Sequence, residues 1–161
     1  MKKSNIIISV LIFVIFILVF CFIYFSGVLV FNKKSDDGLG VSIVNIQSKE
    51  QIGGASNESA PVFDKTSATF KSNFATPGDY ITYEITIENN GKEDAKLKKI
   101  VMGDTNNTAI TSEISGVSEG QLLKAGQSHF ALVTIKYDEN AQKSPESLKS
   151  SLTVKLDYVK A

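Results

Sequence analysis

One cysteine, one histidine, no tryptophan and no arginine define this sequence by what it withholds. The single cysteine, Cys21, allows no disulfide within the chain, so any folded part must be stable without one. The single histidine, His129, excludes catalysis by a histidine pair and any two-histidine metal site within one chain. No H-E-x-x-H sequence and no glycine-rich phosphate loop occurs, so zinc-peptidase and nucleotide readings have no residues to use. All 17 basic residues are lysines. The missing guanidinium removes the planar fork that grips phosphates and base edges. Acids also number 17, leaving zero net charge, whereas a nucleic-acid binder concentrates positive charge. No nucleic-acid partner is expected.

Charge is also absent from Ile6 to Phe31, a run diluted only by Ser9, Ser26 and Gly27. Its 26 residues exceed the apolar core of a signal peptide, and none of its positions reads A-x-A. As a helix it would reach about 39 Å, enough to cross a hydrocarbon core of about 30 Å with tilt. Lipid forces backbone hydrogen bonds to close within the segment, so its many β-branched residues do not disfavour a helix. Residues 6–31 are therefore expected to be a transmembrane helix, with the lipid bilayer as partner. Cys21 lies inside the run with Phe20 before it, which reads as a membrane-buried thiol and leaves no geometry for a Cys–His pair with His129.

Lys2 and Lys3 precede the run, and Lys33 and Lys34 follow it, so the flanks are nearly balanced. The amino-terminal charge adds weight to the short side, and a long C-terminal domain translocates largely regardless of charge. Residues 1–5 are expected in the cytoplasm as a short tail. Residues 32–40 then form a stalk, and the remainder lies outside the cell. The abundance of Lys, Asn and Ile is read as the mark of an AT-rich bacterial genome. On that reading Asn57-Glu58-Ser59 and Asn106-Asn107-Thr108 are chance matches to a glycosylation pattern.

The roughly 120 residues after the stalk are the size of one small domain. Val41–Ile46 and Ser67–Phe74 read as strands, the second with Ala68, Phe70 and Ser72 on one face. Lys49 to Pro61 reads as a flexible loop. Tyr80 to Asn89 has the clearest alternation: Ile81, Tyr83, Ile85 and Ile87 on one face, Thr82, Glu84, Thr86 and Glu88 on the other. Asn89-Asn90-Gly91 is a tight turn of the kind that joins antiparallel strands. Ala95–Val101 returns from it, with alternation slipping near Lys99, and Ala109–Ser115 is a further short strand. From His129 to Tyr137, Val133, Ile135 and Tyr137 face inward, and Phe130 breaks that parity, which predicts a bulge near Ala131. Leu152, Val154, Leu156 and Tyr158 alternate along a last strand. The fold class is all-β: one immunoglobulin-like antiparallel sandwich of about seven strands over residues 41–161, behind the N-terminal helix.

Two stretches carry a resemblance. One runs Thr76-Pro77-Gly78-Asp79-Tyr80 through Asn89-Asn90-Gly91 to Leu97, with Ala68-Thr69-Phe70 before it. The other is Leu123-Lys124-Ala125-Gly126-Gln127-Ser128 with Val133 to Asp138. Together they resemble the immunoglobulin-like repeat domains of bacterial surface proteins, over most of residues 40–161. The pattern is also similar to the secreted camelysin and TasA-like matrix proteins, which are jelly-roll sandwiches; the uncleaved apolar run departs from that group. Either resemblance implies an extracytoplasmic sandwich and little about activity.

Few residues are left to carry chemistry. His129, at a strand start, reads as a surface or half-buried side chain. Asp104-Thr105-Asn106-Asn107 offers oxygens, but lacks the glycine and distal glutamate of a calcium loop and reads as a solvated turn. Asp157, a conceivable isopeptide partner for lysine, faces outward. Lys96, Lys98 and Lys99 cluster on one strand, as a protected polar edge or as a contact for an acidic wall polymer or lipid headgroup. No catalytic residue, metal ligand or cofactor is expected, and the chain is not expected to be an enzyme. The expected role is structural or adhesive at the cell membrane, with the C-terminal domain extracellular and an unidentified envelope protein or wall polymer as partner. The alternative is a secreted matrix or fibre component released by cleavage near Ser26-Gly27.

Overall fold

The computed structural model describes residues 39–105, 107–141 and 148–161. The run Ile6–Phe31, Cys21, the lysine flanks and the stalk up to Gly38 lie outside the described residues, as do Asn106 and residues 142–147. Among the described residues no helix is long and apolar enough to cross a membrane.

Among the described residues nine strands follow one another: β1 (Val41–Ile52), β2 (Ser56–Phe63), β3 (Ser67–Asn73), β4 (Tyr80–Asn89), β5 (Ala95–Met102), β6 (Ile110–Ser115), β7 (Leu122–Leu123), β8 (Ser128–Tyr137) and β9 (Lys149–Lys160). They form two antiparallel sheets, ordered β1-β4-β8-β6 and β2-β3-β9-β5-β7, which make a β-sandwich. From β3 onward the odd-numbered strands lie in one sheet and the even-numbered strands in the other. Each of those connections therefore crosses from sheet to sheet.

β4 forms where the alternation predicts it. Ile81, Tyr83, Ile85 and Ile87 are buried, and the residues between them are partly exposed. Ala68, Phe70 and Ser72 on β3 and Leu152, Val154 and Leu156 on β9 are buried against them from the other sheet. The rings of Phe70 and Tyr83 meet across the sheets with centroids 4.5 Å apart. Each large apolar side chain enclosed this way contributes about 1.5–3 kcal/mol, and the core closes without any cysteine among the described residues.

Three expectations need correction. The bulge near Ala131 is absent: β4 and β8 pair without a break from Tyr80↔Lys136 to Glu88↔Ser128. His129, Ala131, Val133, Ile135 and Tyr137 share the inward parity, while Phe130 lies on the outer face, 54 % exposed. An aromatic ring looked like a core marker, but the continuous ladder sets the parity. The loop from Lys49 to Pro61 is instead the end of β1 and most of β2, and β7 adds a further short strand, giving nine strands where seven were expected. β2 is exposed along almost its whole length, so no hydrophobic period marks it. Asn89-Asn90-Gly91 closes no hairpin, because β4 and β5 belong to different sheets.

Candidate functional site

β5 carries the most distinctive surface. Its pairing with β9 runs Ala95↔Lys160, Lys96↔Val159, Leu97↔Tyr158, then skips to Lys99↔Asp157 and Ile100↔Leu156. The extra residue is Lys98. A bulge of this kind lets two successive side chains avoid the in–out alternation. Ala95 and Leu97 stay buried, Lys96, Lys98 and Lys99 are all exposed, and Ile100 returns to partial burial. If the three residues alternated regularly, one lysine of the three would be aimed into the core. Lys96 lies between Leu122 of β7 and Val159 of β9 on the outer face, and Val101 lies beside Lys155. Leu122, Val101 and Val159 are 43 %, 39 % and 38 % exposed. Among the described residues no ion pair or side-chain hydrogen bond engages Lys96, Lys98 or Lys99.

The acids around this face are already engaged. Asp157 pairs with Lys155 at 2.9 Å and Glu93 with Lys160 at 3.2 Å. Glu119 accepts the Ile100 N–H at 2.9 Å, and Asp94 accepts the Ala125 N–H at 2.9 Å. The outer face of the other sheet differs: Lys49 pairs with Glu84 at 3.2 Å and Lys136 with Glu139 at 2.6 Å. There Glu139 holds the Lys136 ammonium above its ordinary range. A shallow polar depression of about 280 Å³ beside Lys136 is lined by Thr111, Ser112, Glu113 and Thr134.

Two buried polar corners fix where the chain crosses between sheets. Asn89 is fully buried; its Nδ2 donates to Glu93 O at 2.9 Å and Leu123 O at 3.1 Å, and its Oδ1 accepts the Gly91 N–H at 3.0 Å. Beside it the Asn90 N–H donates to Gly40 O at 3.1 Å. Gly40 has φ +61°, and a Cβ there would meet Gly91 N at 2.1 Å, so only glycine fits. At the opposite end Asp79 is buried. Burial by itself would raise its carboxyl, but hydrogen bonds from Thr76 N–H, Ala75 N–H, Thr76 Oγ1 and Gly54 N–H outweigh that and hold it below the ordinary carboxylate range.

Between the sheets, Ser72 Oγ lies 3.0 Å from Tyr83 OH, which donates to Asn57 Oδ1 at 2.6 Å. Ser150, directly opposite Ser72 on β9, is buried with its hydroxyl unpaired. The Tyr158 hydroxyl and His129 Nδ1 are likewise buried without a partner.

The residues singled out in the sequence are scattered. His129 points inward on β8 across from Ile87. Thr105 is buried, its hydroxyl donating to Ile110 O at 2.8 Å, and Asn107 Oδ1 accepts the Ala109 N–H, so these two side chains close the turn itself. No group of three or more acidic, histidine or cysteine side chains is placed to hold a metal among the described residues. Asp157 faces outward with Lys155 as its partner. Only the lysine cluster forms a continuous patch. Sequence reasoning missed Leu122 and Val159 as its neighbours, because they pair with Lys96 from positions 26 and 63 residues further along the chain. Asn89 was legible as a turn residue but not as a buried tie. No family model matches the chain, and no curated protein does so either.

Proposed function

We propose that this chain is a single-pass, membrane-anchored protein of a bacterial envelope, holding one β-sandwich outside the cell as a structural, adhesive or accessory interaction module. One arrangement carries the reading: an uncharged apolar run of 26 residues followed, after the polar segment Asn32 to Gly38, by a sandwich that closes its core without a disulfide. A retained anchor and a small self-sufficient domain together make a display device. The test is protease treatment of intact cells followed by blotting against the domain. Loss of the domain signal is expected, and a protected domain would reverse the orientation.

The strand order favours a second reading. In an immunoglobulin constant-type sandwich, strands A-B-E-D face C-F-G, so several consecutive strands are hairpins within one sheet. Here β3-β9-β5-β7 faces β4-β8-β6, the interleaved order of a jelly roll. That order supports kinship with the jelly-roll matrix proteins over the immunoglobulin-like repeats, and with it release as a secreted matrix or fibre component. A mature amino terminus at Val28 would establish release; an intact Met1 or Lys2 terminus in the membrane fraction would exclude it.

A further inference from the structure

We infer that the outer face of β5, with Lys96, Lys98 and Lys99, docks on the anionic phospholipid headgroups of the membrane that holds the chain's own apolar run. The inference rests on the anchored reading above. Three observations point to it.

The first is charge. Three exposed lysines on one strand have no partner among the described residues; around them Asp157 and Glu93 are ion-paired with Lys155 and Lys160, and Glu119 and Asp94 accept backbone N–H groups. A bulge keeps all three out of the core. The second is the apolar component. Leu122, Val159 and Val101 lie on the same face, with Lys96 between the first two. A membrane interface accommodates both kinds of side chain, ammonium groups at the phosphates and apolar groups toward the acyl boundary. A soluble polyanion would reward the charges alone.

The third is reach. The chain enters the sandwich at Leu39, which is buried, and Gly40, whose carbonyl takes the Asn90 N–H. The adjacent Asn89 holds Leu123 O, and β7 pairs with Ala95 and Lys96. The start of the domain and the Lys96 end of the patch therefore share one end of the sandwich. Between Phe31 and Leu39 lie only Asn32 to Gly38, a segment that spans at most about 25 Å fully extended. In a chain anchored by that run, a tether of this length keeps the Lys96 end of the patch within reach of the bilayer surface. Each lysine near an anionic surface adds a factor of about five, so three favour an anionic over a neutral bilayer by about a hundredfold.

The full chain is reconstituted into vesicles of phosphatidylcholine alone or mixed with phosphatidylglycerol. Lysine acetylation by a membrane-impermeant reagent is then followed by mass spectrometry, with Lys136 as internal reference. Acetylation of Lys96, Lys98, Lys99 and the neighbouring Lys155 is expected to slow about fivefold in the anionic vesicles, and to recover near 1 M salt, where the screening length falls to about 3 Å. In the combined variant Lys96→Gln, Lys98→Gln and Lys99→Gln, protection of Lys155 should disappear. Equal rates in both vesicles, or protection of Lys155 surviving in the variant, overturns the docking face. Protection by soluble polyphosphate but not by phosphatidylglycerol assigns the face to a polymer and also overturns it. Alkaline extraction of the chain from neutral vesicles is read separately: release sinks the anchored reading, and retention without lysine protection sinks the lipid face alone.

Discussion

Asn89 ties three stretches of backbone with one side chain, and its value lies in what its removal would strand. Asn89→Ala leaves the Glu93 and Leu123 carbonyls and the Gly91 N–H without their partner in a buried corner. A loss of about 2–4 kcal/mol is expected in urea denaturation. Asp79 adds a pH signature. Its folded carboxyl lies below the ordinary range, so the stability it contributes is present above the unfolded value near 3.9 and is lost as pH falls through the folded one. Asp79→Asn should therefore be clearly less stable than the parent at neutral pH, and the gap should narrow in acid. A gap that stays constant down to about pH 2 would refute this account. Tyr158 is the opposite case: burial without a partner pushes its hydroxyl up to about 12. The neutral form is the one the fold favours, so stability is held below about pH 10 and lost as pH rises toward the folded value. Tyr158→Phe removes an unpaired polar group and should be neutral or stabilising by up to about 1 kcal/mol, with the alkaline loss reduced.

The elements differ in how openly the sequence declares them. β4 and β9 alternate because one face of each is enclosed and the other is wet, and their residues could be assigned to faces from the pattern alone. β2 was invisible for the same reason reversed: with no buried face it needs no hydrophobic period, and only its pairing with β3 defines it. The slip near Lys99 was legible and corresponds to the β5 bulge, whereas the misread parity of Phe130 shows that one large exposed ring can imitate a break. The bulge yields a sharp contrast between deletions. Removing Lys98 restores an unbroken ladder with β9 and should cost less than about 1 kcal/mol, because no buried side chain changes face. Removing Ile100 shifts Val101 and Met102 to the wrong faces and should cost several times more. Thermal melts of the two deletion variants decide the matter; equal losses would mean that Lys98 is not the extra residue.

At the scale of the whole molecule, the crossing of the chain from sheet to sheet between β3 and β9 separates this sandwich from a stack of hairpins. Asn89 and Asp79 stand at two of those crossings, which is why both are buried although turn residues usually lie in water. The pattern Asn-Asn-Gly promised a tight turn between antiparallel strands; the chain bends there and crosses to the other sheet. Whether it folded back within a sheet or crossed to the other depended on which partner β5 found, and that partner, β9, lies more than fifty residues further along. With Cys21 as the only cysteine, unfolding of the full chain should be indifferent to reducing agent. A shift of the melting temperature with dithiothreitol would point to a cross-link between chains.

The sequence by itself determined the all-β class, the buried faces of β3, β4 and β9, the absence of an internal disulfide, and the clustering of Lys96, Lys98 and Lys99. These are consequences of period and composition, which act within a few residues. The tertiary structure alone decided the order of the strands, the burial of Asn89 and Asp79, the partnerless hydroxyls of Ser150 and Tyr158, and the setting of the lysines beside Leu122 and Val159. Each of those depends on strands distant in the chain meeting in one register, and no local pattern encodes a meeting of that kind.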